Sequence, residues 1–177
     1  MSFSVYYCIM LRAGCLALIL CTPLFAAENA SEIQLRAAYL VNFLKYVEWP
    51  AGSGGATICI YGRNEPWPDL VAYEGKVLLG KEIHIRRVTQ PEQLADCQEL
   101  FVPEREDSPR VLKWVGSHPL LSVGENPAFV QQGGIIALLR IDNRLVFDVN
   151  LAAASRAGLH LGSSMLRLAR DVSGGPR

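Results

Sequence analysis

The stretch VFDVNLAAASRAGLHLGSSMLRLA, Val146 to Ala169, brings together an acid, Asp148, a histidine, His160, and two serines, Ser163 and Ser164. Those are the side-chain types of a hydrolytic triad, in which histidine takes the serine proton and the acid orients the histidine. On an α/β scaffold the nucleophile sits in G-x-S-x-G, at a sharp turn from strand to helix. The nearest approach is LGSSM, Leu161 to Met165, which lacks the second glycine. Ser163 and Ser164 are instead placed to cap a final helix, whose first N–H groups need acceptors. Strand alternation puts Val146, Asp148 and Asn150 on one face and Phe147, Val149 and Leu151 on the other. Asp148 and Asn150 are therefore expected on a polar face. His160, between Leu159 and Leu161, is expected to point away from the apolar side. The stretch reads as a contact surface, with no catalytic residues and no enzymatic activity.

Other chemistries are poorly served. The three histidines, His84, His118 and His160, show neither His-x-x-His nor HExxH spacing, so no metal site is expected. After the first strand the chain reads YGRNEPWPD, Tyr61 to Asp69, with one glycine and two prolines. This matches neither the dinucleotide fingerprint nor the P-loop, and no cofactor is expected. The segment does place Arg63 and Trp67 just past the carboxyl end of a strand, where open α/β sheets bind ligands.

The elements that must position these residues alternate. SEIQ, Ser31 to Gln34, is a capping-box pattern, and Ile33, Ala37, Leu40, Val41, Leu44 and Val47 follow at helical spacing. Strands are expected at TICIYG, EIHIRRV, QELFVP and PLLSVG, with short helices at PWPDLVAYEG, PEQLADC, SPRVLKWVGSH and NPAFVQQGG. IIALLRIDNRLVFDVN is two apolar runs around Asp142-Asn143, residues that tolerate the left-handed conformation, and so a hairpin. Strands alternating with helices give a three-layer α/β domain. Its sheet is mostly parallel with one antiparallel edge hairpin, and helices cover both faces.

The N-terminal segment reads differently. Arg12 precedes an apolar run from Cys15 to Cys21, and Ala26-Ala27 close it, the order of a secretory signal peptide. The run is shorter than the roughly 20 residues a bilayer-spanning helix needs. The organisation expected is a cleaved leader over 1–27, one domain over 28–172 and a flexible tail over 173–177. Removing the leader leaves 16 basic and 17 acidic residues. Neither that balance nor any charge run marks a nucleic-acid partner. Of five cysteines only Cys59 and Cys97 remain. An even pair in an exported chain points to a disulfide; two buried free thiols are the alternative.

Taken together, several segments resemble the YfiR family: AAYLVNFLKYVEWP after the leader, ICIYG, CQELFVP and the long run GGIIALLRIDNRLVFDVNLAAASRAGLHLGSSMLRLA. The resemblance covers nearly all of Ser31 to Ala169. It implies a periplasmic repressor that binds the periplasmic sensor region of an inner-membrane diguanylate cyclase, limiting cyclic di-GMP and biofilm formation. It also implies an outer-membrane lipoprotein that sequesters the repressor, and a homodimer. Cys59 and Cys97 match one family disulfide. A second family bridge falls in Val130 to Ala137, which has no cysteine here. Asp148 stands where the family has glutamate in its F-E-I-N motif, an acid of shorter reach. The resemblance, together with the polar face, marks Asp148, Asn150 and His160 as partner contacts. The alternative function is a periplasmic binder of small aromatic metabolites, using Arg63, Trp67 and His160.

Overall fold

The computed structural model describes residues 24–52, 55–63 and 68–175. The chain divides into two units, one up to Gln34 and one from Leu35. The described residues of the first belong to helix α1, which runs Leu24–Phe43. Ser31 therefore lies inside a helix and not at its start. Ala26, Ala27, Glu28 and Ala30 are good helix formers and carry the helix upstream of it.

The second unit holds a seven-stranded sheet. Its strands are β2 (Thr57–Tyr61), β5 (His84–Val88), β6 (Glu99–Val102), β7 (Leu121–Gly124), β8 (Ile136–Ile141), β9 (Arg144–Asn150) and β11 (Asp171–Ser173). The spatial order is β11-β9-β8-β7-β6-β2-β5. Strands β5, β2, β6, β7 and β8 are mutually parallel, and β9 runs antiparallel to β8. The α/β architecture and mostly parallel sheet expected from the sequence are those observed. Asp142 and Asn143 turn the hairpin with φ of 48° and 59°, the left-handed pair that matches strand twist. The hairpin is not the edge, however. β11 pairs parallel with β9 outside it, and Ser173, placed by the sequence at the head of a tail, donates its hydroxyl to the Val149 carbonyl.

Small elements complete the unit. β1 (Val47–Glu48) pairs with β10 (His160–Leu161), and β3 (Val77–Leu78) with β4 (Lys81–Glu82). The helices are α2 (Pro68–Val71), α3 (Ser108–Val115), α4 (Leu151–Arg156) and α5 (Ser163–Leu166). Pro91–Leu94 forms a 3-10 turn instead of the expected helix, and the segment from Pro127 to Gly133 is a set of turns. There Phe129 is driven between two glycines. A Cβ on Gly124 or Gly134 would lie 2.3 or 2.2 Å from its ring, so the close packing needs residues without side chains.

Two apolar layers sandwich the sheet. On one face Leu40 and Phe43 of α1, Leu44 of the 3-10 turn that follows it and Ala153 of α4 meet Ile58, Phe101, Val123 and Val149. On the other, Val111 and Val115 of α3, with Leu94 and Phe129, meet Cys59, Leu100, Val102 and Leu139. The Cys59–Cys97 disulfide lies within this second layer and joins residues 38 apart.

One core position breaks the rule that buried polar groups are partnered. Glu99 opens β6 on the same face as Phe101, between Ile58 and Leu121 in register. It is fully buried, and neither carboxylate oxygen has a hydrogen-bond partner. Desolvation raises its pKa well above the ordinary value. The folded chain thus keeps a proton that the unfolded chain loses above about pH 4.3. Stability is full below that pH and falls as pH rises through the raised folded value. Glu99→Gln removes the ionisable group. It is expected to stabilise the domain by roughly 1–3 kcal/mol at pH 8 and to lose that advantage at pH 4. Thermal melts at both pH values are the check, and a constant difference between the two proteins would exclude this role.

Candidate functional site

Asp148 sits on β9 but not on an exposed face. It is 4% exposed, and Arg170 grips it with both ends of its guanidinium. Arg170 Nε donates to Asp148 Oδ1 at 2.8 Å, and Nη2 donates to Oδ2. The hydrogen bond to Asp148 is the main reason the Arg170 proton is held more tightly than usual. The expected polar face fails because both faces of the sheet are covered and β11 covers the outer edge of β9. An acid there is tolerable only with a cation brought to it. Asp148 is therefore a positioning residue. It fixes the segment after α5, whose Arg170 N–H also donates to the Phe147 carbonyl.

That segment forms one wall of an apolar groove. Leu35, Tyr39, Phe43 and Tyr46 supply the opposite wall, Met165 and Leu168 the near one, and Phe147 the floor. The groove encloses about 270 Å³. Its aromatics are locked together: Phe43 and Phe147 meet edge to face with centroids 5.2 Å apart, and Tyr39 lies 6.1 Å from Phe147. The Tyr39 hydroxyl donates to the Leu145 carbonyl. The rim leaves apolar surface in water: Leu35 is 49% exposed and Leu168 71%. Rigid aromatics beside exposed aliphatics are the composition of a protein-binding surface.

The remaining predicted positions separate. His160 is exposed on β10, opposite Glu48 of β1. The Gly162 N–H donates to the Tyr46 carbonyl, which ties the chain just after β10 to a residue of the groove wall. Asn150 has an internal task. Its Oδ1 accepts from the Ala153 N–H and caps α4, while its Nδ2 donates to the Val130 carbonyl. Both of its polar side-chain atoms are thus engaged within the fold. Ser163 and Ser164 are exposed in the first turn of α5 and cap nothing, because Gly162 occupies the cap position. With Asp148 committed to Arg170, no triad is assembled from this stretch. Arg63 is exposed past the end of β2, apart from the groove. Trp67 lies outside the described residues. Among the described residues no group of three or more His, Cys, Asp or Glu could hold a metal ion.

A model of the YfiR/HmsC-like family matches residues 33–170, most of the chain and all of the segments that build the groove. The chain belongs to the YfiR/HmsC-like family. Among solved structures, a conserved domain protein from Vibrio cholerae O1 biovar El Tor matches with a TM-score of 0.59 at 10% identity. The match covers 80% of this chain and 60% of that one, so this chain spans less than two thirds of that structure. At that identity the likeness concerns the fold alone.

For a YfiR/HmsC-like chain the Cys59–Cys97 bridge is the expected one, and it is formed here. Sequence reasoning missed Arg170 and the groove. Arg170 lies 22 residues from Asp148, too far for any local pattern to pair them. The groove did leave a signal: Tyr39, Phe43 and Tyr46 recur at helical spacing beside the aliphatic stripe, an aromatic face wider than one core contact requires.

Proposed function

We propose that this chain is a periplasmic repressor that docks the periplasmic sensor region of an inner-membrane diguanylate cyclase in the groove between α1 and α5. Residues 1–27 direct export and are removed. The observation that carries the docking reading is the groove itself, an aromatic floor with exposed Leu35 and Leu168 on its rim. Family membership supplies the class of partner. Repression requires tighter binding to the inactive state of the sensor, since equal affinity for both states shifts nothing. An outer-membrane lipoprotein that covers the same face relieves repression by competition. A homodimer presents two such grooves.

Leu168→Glu tests the face. The side chain is 71% exposed, so the fold is expected to melt as before. A carboxylate in the apolar rim is expected to weaken binding to the sensor region at least tenfold, about 1.4 kcal/mol. Titration calorimetry with the purified sensor region, and cyclic di-GMP levels in cells carrying the variant, give the two readouts. Unchanged affinity would remove the groove from the interface, and no binding by the unaltered chain would overturn the repressor reading.

A further inference from the structure

A second concavity lies at the carboxyl edge of the sheet. From β2 the chain crosses to β5 on one side, then returns to β6 on the other. Open α/β sheets bind ligands at such reversals, outside the carboxyl ends of the strands. A cavity of about 380 Å³ occupies this place, a size that suits a small molecule. It shares no lining residue with the apolar groove, so it stands or falls independently of partner docking.

Its polar groups converge. Gly62, the first residue past β2, has φ of 116°, and a Cβ there would lie 2.7 Å from Glu106 Oε1. Glycine thus lets the end of β2 press against the Glu106 carboxylate. Arg63 follows, with its carbonyl held by the Arg87 guanidinium. Arg110 comes from the first turn of α3, and its guanidinium lies 5.5 Å from the centre of the Trp114 ring. Trp114 in turn packs edge-on against Tyr61. Stacking fixes the plane of the Arg110 fork, the arrangement that recognises planar oxyanions. Arg63 and Arg110 thus line the cavity together with Glu106, the one acidic side chain among its lining residues.

We propose that this cavity binds a small organic oxyanion that also carries a hydroxyl or amino donor. Arg63 and Arg110 hold the anionic group by charge-assisted hydrogen bonds. Glu106 accepts from the neighbouring donor and repels ligands that lack one. The anionic group is a carboxylate or a phosphate monoester, and the experiment separates the two.

Calorimetric titration of the exported chain, disulfide intact and at low salt, uses glycerol 3-phosphate in one arm, citrate in another and sulfate in a third. Saturable binding of glycerol 3-phosphate or citrate is expected, tighter than that of sulfate, which has no donor. Arg63→Ala and Arg110→Ala are each expected to weaken it at least tenfold without moving the melting temperature. Glu106→Gln is expected to strengthen sulfate binding while weakening the preferred organic anion. Failure of both organic probes to bind at millimolar concentration would overturn the proposal. So would binding that survives both arginine substitutions, or a Glu106→Gln variant that treats all three anions as the unaltered chain does.

Discussion

Replacing Arg170 with alanine is expected to destabilise the domain by about 3 kcal/mol. Asp148, 4% exposed in the intact pair, is then left without its cation. Breaking a buried pair by removing one partner costs about 3–5 kcal/mol. The low end applies because the Arg170 side chain is 45% exposed and water can reach the vacated site. For a domain of this size the melting temperature should fall by roughly 6–12 °C. Asp148→Asn in the same background leaves no charge to desolvate, so the double variant should recover part of the loss; the recovered part measures the coupling. Hydrogen exchange adds a local readout. The β9 amides that face β11 should lose protection in Arg170→Ala before the rest of the sheet does. A melting temperature within a degree of the unaltered chain would mean that the pair contributes nothing. Because the same arginine holds the wall carrying Met165 and Leu168, partner binding should weaken with it. Asp148→Lys, which an exposed acid would tolerate, should unfold the segment outright.

Cys59→Ser carries the other large effect. The bridge closes a loop between residues 38 apart, which in the chain-entropy model contributes about 4 kcal/mol. Both sulfurs are buried in the α3-side layer, so the serine hydroxyl also enters an apolar setting. In oxidising buffer the variant should melt roughly 8–16 °C below the unaltered chain. A reductant should bring the unaltered chain down towards the variant and move the variant little. Equal melting temperatures under oxidising conditions would show that the bridge does not form in solution. From Leu35 onward the sequence holds no cysteine besides Cys59 and Cys97, so redox titration of that domain should show one transition.

Much of the architecture was legible because each strand of the parallel sheet is a short apolar run ended by turn residues. TICIYG and QELFVP announce β2 and β6 through composition alone. The Asp142-Asn143 turn gave the hairpin because few residues accept positive φ. What stayed hidden depends on partners distant in the chain. DVS, Asp171 to Ser173, has no strand signature and becomes β11 only because Arg170 is anchored to Asp148 and Phe147. The same contact reverses the reading of the acid. Alternation along β9 places Asp148 beside Val146 correctly, but alternation cannot say whether water or protein lies over that face. Glu99 is invisible for the same reason. In the sequence it is one glutamate before an apolar run, and only the finished sheet shows it surrounded.

Glu74 has a consequence for how chains of this protein meet one another. β5 is an outer strand of the sheet, and its outward N–H at Ile85 would be an open donor for another chain. Glu74 fills it, accepting that N–H at 2.6 Å through Oε2 while Oε1 lies 3.2 Å from His84 Nδ1. Arg86 and Arg87 continue the strand as exposed cations. A second copy adding there would have to displace a carboxylate and then align like charges, two devices that suppress edge-to-edge aggregation. At the opposite border β11 offers only three residues. Self-association of the folded protein is thereby steered away from open-ended sheet growth and towards closed contacts between faces.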